Sequence, residues 1–418
     1  MKDKVRIGYI GLGKRGFAVL EKNFAMMEDV EVAALSDLSD ERLSRMQTFL
    51  RENTSHDPYL TKDYHDILND PTIDAVVIMI GWSGRPKIAM ETMRAGKYAA
   101  VEVGCADTLD ECFELVKTYE ETGVPVMMLE NCCYGRREMM VLNLVKKGLL
   151  GEVVHCSGGY HHNINEEDIY CNFENIDIPH YRLGQYITKN RENYPTHELG
   201  PLSKVLSINR GNRMVSLSSF ASKSRGLKEY AVNRFGADSK WGKIDYKQGD
   251  IVTTVITCAG GETVVLTLDT NLPRSHYSRG FSIRGTKGMT NEDRMSVYFD
   301  GQTEDSFKNE EAMYEKYDHP LHAEYVKAGV KEGHGGMDWL VCRAFIESVK
   351  NGTNTPIDAY DTAAWMAVGP LSEMSINKGG APMEFPDFTN GKWQNREPVV
   401  KCKYCLDEIC EDKSVSVV

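Results

Sequence analysis

The sequence has no run of eighteen apolar residues, which excludes a transmembrane helix of ordinary length. An apolar leader is missing too: Met1-Lys2-Asp3-Lys4 leads straight into a strand-like segment, so a cytoplasmic location is expected. Positive charge is in deficit. Against 61 acidic residues stand 49 lysines and arginines, and the net charge of −12 suits neither nucleic acid nor an anionic membrane surface. Small neutral ligands remain the natural partners. Cysteine shows no framework spacing: the count is eleven, an odd number, and Cys132-Cys133 are adjacent. Cys402, Cys405 and Cys410 form a late cluster for which reduced thiols in a reducing compartment are the plainer reading, and no metal site is expected. Internal repeats and low-complexity segments are absent as well.

What is present fits an α/β fold in two domains, residues 1–131 and 132–418, because 418 residues exceed one ordinary core. The first part alternates strand and helix patterns. Strand-like runs at 5–10, 30–35, 73–80, 98–103 and 124–129 alternate with helical stretches at about 13–27, 86–95 and 109–122. The run Ile73–Ile80 is apolar on both faces, as a central parallel strand should be. After Asn131 the texture changes. A helix over 136–147 precedes β-like segments at 153–160, 252–257, 263–270 and 281–284, and helices return at 338–350 and 359–377. A polar, aromatic-rich stretch from Asn163 to Tyr194 reads as loops and short helices over a site. The second domain is therefore expected to be α+β, on an open mixed or antiparallel sheet.

Gly11-Leu12-Gly13-Lys14-Arg15-Gly16 is a GxGxxG motif between a strand and a helix, the context of a dinucleotide-binding Rossmann domain. Gly11 allows the tight turn, Gly13 a close backbone approach to a pyrophosphate, and Gly16 close packing of helix on sheet. The helix N-terminus offers N–H groups to the phosphates. Asp37 ends the next strand, 21 residues beyond Gly16, where a carboxylate accepts from ribose hydroxyls and repels a 2′-phosphate, so NAD is expected over NADP.

At Ala95-Gly96-Lys97-Tyr98 and Val101-Glu102-Val103 the chain resembles the Gfo/Idh/MocA oxidoreductases, which pair a Rossmann domain with an open-faced sheet domain and act on sugars and cyclitols. Most of that superfamily carries Glu-Lys-Pro after the fifth strand; this chain has Glu102-Val103-Gly104 and lacks the lysine. Further segments resemble glycoside hydrolase family 109 more closely. They include Met127–Asn131, Tyr134-Gly135-Arg136, Gly158-Gly159-Tyr160, Tyr194-Pro195-Thr196-His197 and Leu199-Gly200-Pro201. Asn209-Arg210-Gly211, Gly285–Gly288 and Gly333-His334-Gly335-Gly336-Met337-Asp338 continue the match in the same order, over residues 5–393. Two places depart from it: Glu198 stands where the family usually has glycine, and the loop Gly81-Trp82-Ser83-Gly84-Arg85 differs.

The resemblance implies cleavage of α-linked N-acetylgalactosamine with an NAD that is not consumed. Ordinary glycosidases flank the bond with two carboxylates, and NAD-dependent enzymes are an exception. In the NAD route carbon 3 of the sugar is oxidised, which acidifies the proton on carbon 2. Elimination expels the aglycone, water adds to the enone, and carbon 3 is reduced again. Such a site needs proton carriers of moderate pKa, which histidine and tyrosine supply.

His197, on a proline-stiffened turn near a helix N-terminus, is the first catalytic candidate, followed by Tyr160 at a strand end and Tyr277. Tyr194, Arg182 and Arg210, with those three, are expected to bind substrate. Trp82, Glu102, Glu130 and Asn131 join the glycine-rich loop and Asp37 as cofactor contacts by their places at strand ends. For Glu130 a structural helix N-cap is the alternative. His334 and Asp338 read as a cap or a cofactor contact. A metal at His161-His162 is disfavoured, since adjacent strand residues face opposite ways. The leading reading is an NAD-dependent glycosidase of terminal N-acetylgalactosaminides; the alternative is a dehydrogenase of a sugar, cyclitol or glycoside with net hydride transfer. The large sheet face of the second domain suggests a homo-oligomer, a dimer or tetramer.

Overall fold

Val5–Ile10 (β1), Val30–Ser36 (β2), Tyr59–Thr61 (β3), Ala75–Ile78 (β4), Tyr98–Val101 (β5) and Val126–Met128 (β6) pair in parallel throughout, in the order β3-β2-β1-β4-β5-β6. Parallel pairing needs crossovers, and the crossover helices bury both sheet faces. That is why β4 reads Ala75-Val76-Val77-Ile78 with every side chain buried. The strand order reverses between β1 and β4, so β1 and β4 splay their connections apart at their C-terminal ends, the switch point where ligands of such sheets collect. The computed structural model describes residues 4–170, 181–303, 306–331, 333–396 and 403–406.

The chain divides into two compact units. The first comprises Met1–Asn143, Asp318–Ala363 and Asn395–Val418; the second comprises Leu144–Tyr317 and Ala364–Gln394. The described residues of 318–363, with 395–396 and 403–406, thus cluster with the parallel sheet, whereas a division at 131/132 assigns them to the second domain. The cause is packing: the helix Met337–Asn351 is buried along Leu340, Val341, Ala344, Phe345 and Ile346 and lies against β1 and the turn Asn131–Tyr134.

The second unit is built on an eight-stranded mixed sheet. Its strands are Val153–His161 (β7), Met214–Ala221 (β8), Ile251–Cys258 (β9), Thr263–Asp269 (β10), Ser282–Gly285 (β11), Gly288–Asn291 (β12), Ser296–Phe299 (β13) and Met383–Glu384 (β14). Their order is β13-β12-β11-β7-β10-β9-β8-β14, with β7 and β10 parallel and the remaining pairs antiparallel. Alternation in β9 and β10 buries Val252, Ile256, Val264, Leu266 and Leu268 on one face and leaves Thr253, Val255, Val265 and Thr267 half-buried on the other. Over the C-terminal end of β7 the core turns aromatic: Tyr160, Tyr170, Tyr186 and Tyr246 pack with Ile164, Ile169, Leu183, Leu227 and Val252. No helix among the described residues is long and apolar enough to cross a membrane.

Candidate active site

The first of two residue groups lies at the switch point of the parallel sheet. Gly11 has φ +96°, and a Cβ there would stand 2.8 Å from the Met79 carbonyl carbon; a Cβ on Gly16 would stand 2.1 Å from the Gly11 oxygen. Both glycines are therefore demanded by the protein's own packing. Gly13 is not: no described atom lies within 4 Å of where its Cβ would stand. Gly13 is also the N-cap of the helix Lys14–Lys22, whose first turn receives no side-chain cap and carries no acid. An uncapped helix end beside an open glycine is a cradle for an anion. Asp37 completes it at the end of β2, its carboxylate accepting from the Leu12 N–H at 2.7 Å and the Ser39 N–H at 2.9 Å. These residues fit a dinucleotide with a free ribose 2′-hydroxyl.

A charge network, buried at Asp338 and Glu102 and open at Arg15 and His334, continues from that loop. Arg15 Nε donates to Glu102 at 2.8 Å, and its two terminal nitrogens donate to Asp338 at 2.7 and 2.9 Å. Asn131 Nδ2 also donates to Asp338, at 2.7 Å, and His334 Nδ1 lies 2.8 Å from it. Burial pushes the Asp338 carboxyl up, but the His334 and Arg15 hydrogen bonds outweigh that and hold it well below the usual carboxylate range. His334 sits among residues of positive φ, from Gly333 to Gly336, so the turn that presents Asp338 requires its glycines. Glu130, fully buried, accepts from the Cys132 N–H at 3.0 Å and is the N-cap of the turn Asn131–Tyr134.

Trp82 lies buried in the turn after β4. A Cβ on Gly104, whose φ is +92°, would fall 2.3 Å from its indole nitrogen. Arg85 ties the same turn down, donating to Ile80 O at 2.6 Å, Glu102 O at 3.2 Å and Val103 O. Glu102-Val103-Gly104, where the chain departs from the superfamily pattern, and the loop Gly81–Arg85, where it departs from the family 109 pattern, thus meet: the glycine makes room for the tryptophan.

The second group belongs to the mixed sheet. Tyr160, at the end of β7, lies with its ring 4.6 Å from that of Tyr194 and 5.4 Å from that of His197. Tyr194 and His197 meet edge to face at 4.7 Å, and the Arg182 guanidinium stacks 4.5 Å over Tyr194. Tyr277, 46% exposed, stands 6.4 Å from Tyr160; its neighbour His276 lies 2.9 Å from Ser275 Oγ. Sequence reasoning missed His162. Its Nδ1 is 3.2 Å from the Tyr160 hydroxyl, and its ring is 5.1 Å from Tyr277. The signal was available, because His162 directly follows β7, and alternation carried one residue past the strand end puts it on the face of Tyr160.

Glu198 is buried behind this group, 4.0 Å from Arg279, and a Cβ on Gly158 would come within 2.8 Å of its own Cβ. Arg210 lies in the turn after the helix Thr196–Val205, its guanidinium donating to Ile208 O at 3.3 Å. Of the three late cysteines, Cys405 is buried, and Cys402 and Cys410 fall outside the described residues.

Residues 5–130 match the family model described as an oxidoreductase family with an NAD-binding Rossmann fold, and residues 134–395 match the C-terminal domain of glycosyl hydrolase 109. An alpha-N-acetylgalactosaminidase of Tannerella forsythia is 37% identical over 414 residues, covering 94% of this chain and 88% of that protein. A glycosyl hydrolase family 109 protein of Solibacter usitatus is 38% identical over 405 residues, covering 94% and 90%. Among solved structures, a levoglucosan dehydrogenase in complex with NADH and levoglucosan matches with a TM-score of 0.68 at 17% identity, covering 92% of this chain and 100% of that one. A myo-inositol dehydrogenase from Lactobacillus casei matches with a TM-score of 0.62 at 13% identity, covering 92% and 97%.

Proposed function

The chain belongs to glycosyl hydrolase family 109 and carries an NAD-binding Rossmann domain, and on that premise we propose that it hydrolyses terminal α-linked N-acetylgalactosaminides or closely related glycosides through a redox cycle that leaves NAD unchanged. The observation that carries this reading is the packing of Tyr160, Tyr194 and His197 into one group, with His162 and Tyr277 at its edge. That is equipment for moving protons at ring carbons.

Bound NAD supplies a reversible hydride acceptor for carbon 3 of the sugar. The Gly11–Gly16 loop and Asp37 hold the phosphates and the ribose, and the carboxylate of Asp37 selects against a 2′-phosphate. Trp82, Glu102, Glu130 and Asn131 border the same end of the sheet, with Asn131 and Glu102 oriented through Asp338 and Arg15. Once carbon 3 is a ketone, the carbon 2 proton is acidic, and Tyr160 and His197 are the proton carriers assigned to it. The Tyr160 hydroxyl has His162 Nδ1 within hydrogen-bond reach as a relay. Arg182, pinned over Tyr194, and Tyr277 are assigned to the sugar hydroxyls or the acetamido group. Arg210 is assigned to the same groups on the sequence resemblance alone.

The test is turnover of an aryl α-N-acetylgalactosaminide in heavy water. Release of sugar carrying deuterium at carbon 2 is the expected result, because elimination exchanges that proton. Product that keeps protium there would rule out the elimination route, since direct displacement at carbon 1 leaves carbon 2 untouched.

Two coarser expectations belong with this reading. The half-buried face of β9 and β10 is suited to a second copy of the chain, giving a dimer or tetramer. Eight described cysteines are buried thiols, Cys132 and Cys133 side by side among them, which suits the reducing cytoplasm.

A further inference from the structure

Directly before Tyr194 the chain passes through a segment in which every residue is buried and polar: Arg191, Glu192 and Asn193. Gln248 ties down its flanks. It accepts from the Arg191 N–H at 3.3 Å and from the Asn193 side chain, and it donates to Arg191 O at 3.0 Å. Glu192 lies between them, 2% exposed. Its N–H donates to Ser372 Oγ at 2.8 Å, and one carboxyl oxygen accepts from the Tyr194 N–H at 3.2 Å. The other carboxyl oxygen is buried without a hydrogen-bond partner. An ionised carboxylate so placed would be strongly penalised.

We propose that Glu192 is a positioning residue: its buried carboxyl fixes the backbone of Tyr194 and so sets the ring that lies against Tyr160 and His197. The proposal rests on the assignment of those rings to the site. Charged groups on the neighbouring elements are engaged elsewhere: Arg191 with Asn193 and Gln185, Lys189 with Glu373, and Arg182 over the Tyr194 ring. Burial pushes the Glu192 carboxyl up to about 8, with the Tyr194 N–H opposing weakly. The carboxyl is therefore neutral while it holds Tyr194. As the pH rises through that value, a charge appears on a buried carboxyl with one unpartnered oxygen, at a desolvation cost that the single Tyr194 N–H does not offset, and the segment loosens.

The test uses the full chain, wild type and the variants Glu192→Gln and Glu192→Ala, each crystallised at about pH 6 and about pH 9.5, on either side of the ionisation. Glutamine keeps the acceptor for the Tyr194 N–H and cannot ionise. The expected result is a Tyr194 ring displaced from Tyr160 in wild type at the higher pH and in Glu192→Ala at both, but in register in Glu192→Gln throughout. In parallel, kcat/KM on the aryl glycoside falls about tenfold or more in Glu192→Ala, mainly through KM, with NAD affinity unchanged. In Glu192→Gln the alkaline limb of the profile moves upward. A Tyr194 ring that stays put in all three proteins at both pH values overturns the proposal. If wild type cleaves no glycoside, the proposed function fails while the crystal comparison still decides the role of Glu192. Should Glu192→Ala not fold, the wild type and Glu192→Gln comparison suffices.

Discussion

Asp338 receives both terminal nitrogens of the Arg15 guanidinium, at 2.7 and 2.9 Å, across 323 positions of sequence. The contact makes the glycine-rich loop depend on a helix from the far end of the chain, since Arg15 is the fifth residue of GxGxxG and Asp338 the second of the helix Met337–Asn351. Bidentate pairs of this kind fix geometry as well as charge. Asp338→Asn should weaken NAD binding about tenfold or more, measured by fluorescence titration, because it frees Arg15 and reorients Asn131. The carboxyl is held below its ordinary value by His334 and Arg15 against the effect of burial, so its contribution to stability is present above the unfolded carboxylate range and is lost as the pH falls below about 4. Wild type should therefore show an acid-side loss of melting temperature that Asp338→Asn lacks. Equal slopes would contradict this.

Gly104 is held at φ +92° under the indole of Trp82. Gly104→Ala should cost about 2–4 kcal/mol by chemical denaturation, from strain and overlap together. Gly104→Pro, which restores the last residue of Glu-Lys-Pro, should cost more, because proline fixes φ near −65°. A proline variant as stable as wild type would mean that the Trp82 turn can be rebuilt without loss.

Asp37 accepts the Leu12 and Ser39 N–H groups at the end of β2, and the proposed function assigns it to the ribose. Asp37→Ser should narrow the preference for NAD over NADP by about tenfold or more, read as the ratio of dissociation constants, since the repulsion of the 2′-phosphate is removed. An unchanged ratio would place the discriminating charge elsewhere.

His319 caps the helix Pro320–Ala328 through Nδ1, which accepts from the Leu321 N–H at 3.2 Å, and burial together with the nearby His322 lowers its pKa to about 4. The folded chain keeps this histidine neutral where the unfolded chain protonates it. Stability should then fall as the pH drops from about 6.5 to about 4, by roughly 2–3 kcal/mol. His319→Asn retains a capping oxygen without the titration and should flatten that slope in melts taken across the interval.

Much of this fold is legible in the sequence because its signals are local. The motif Gly11–Gly16, the both-sided apolar strands and the stop at Gly123 are consequences of backbone sterics and burial that neighbouring residues specify. The helices at 109–122 and 359–377 end where the sequence indicates. The strands β3, β8, β12, β13 and β14 were not legible: β8 carries three serines in eight residues, and the others have neither strict alternation nor the continuous apolar run that marks β4. Among site residues, the grouping of Tyr160, Tyr194 and His197 follows from motif resemblance. The bond from Arg15 to Asp338 and the cover of Trp82 by Gly104 are contacts made by the folded chain, which no spacing reveals.

In the proposed reaction NAD is recycled within each turnover. Aryl α-N-acetylgalactosaminide and NAD-loaded protein, followed for phenol release and for NADH absorbance with a free-sugar control, test it most directly. Phenol release over many turnovers with no net gain of NADH is the expected result. Stoichiometric NADH without phenol would contradict it and leave a dehydrogenase.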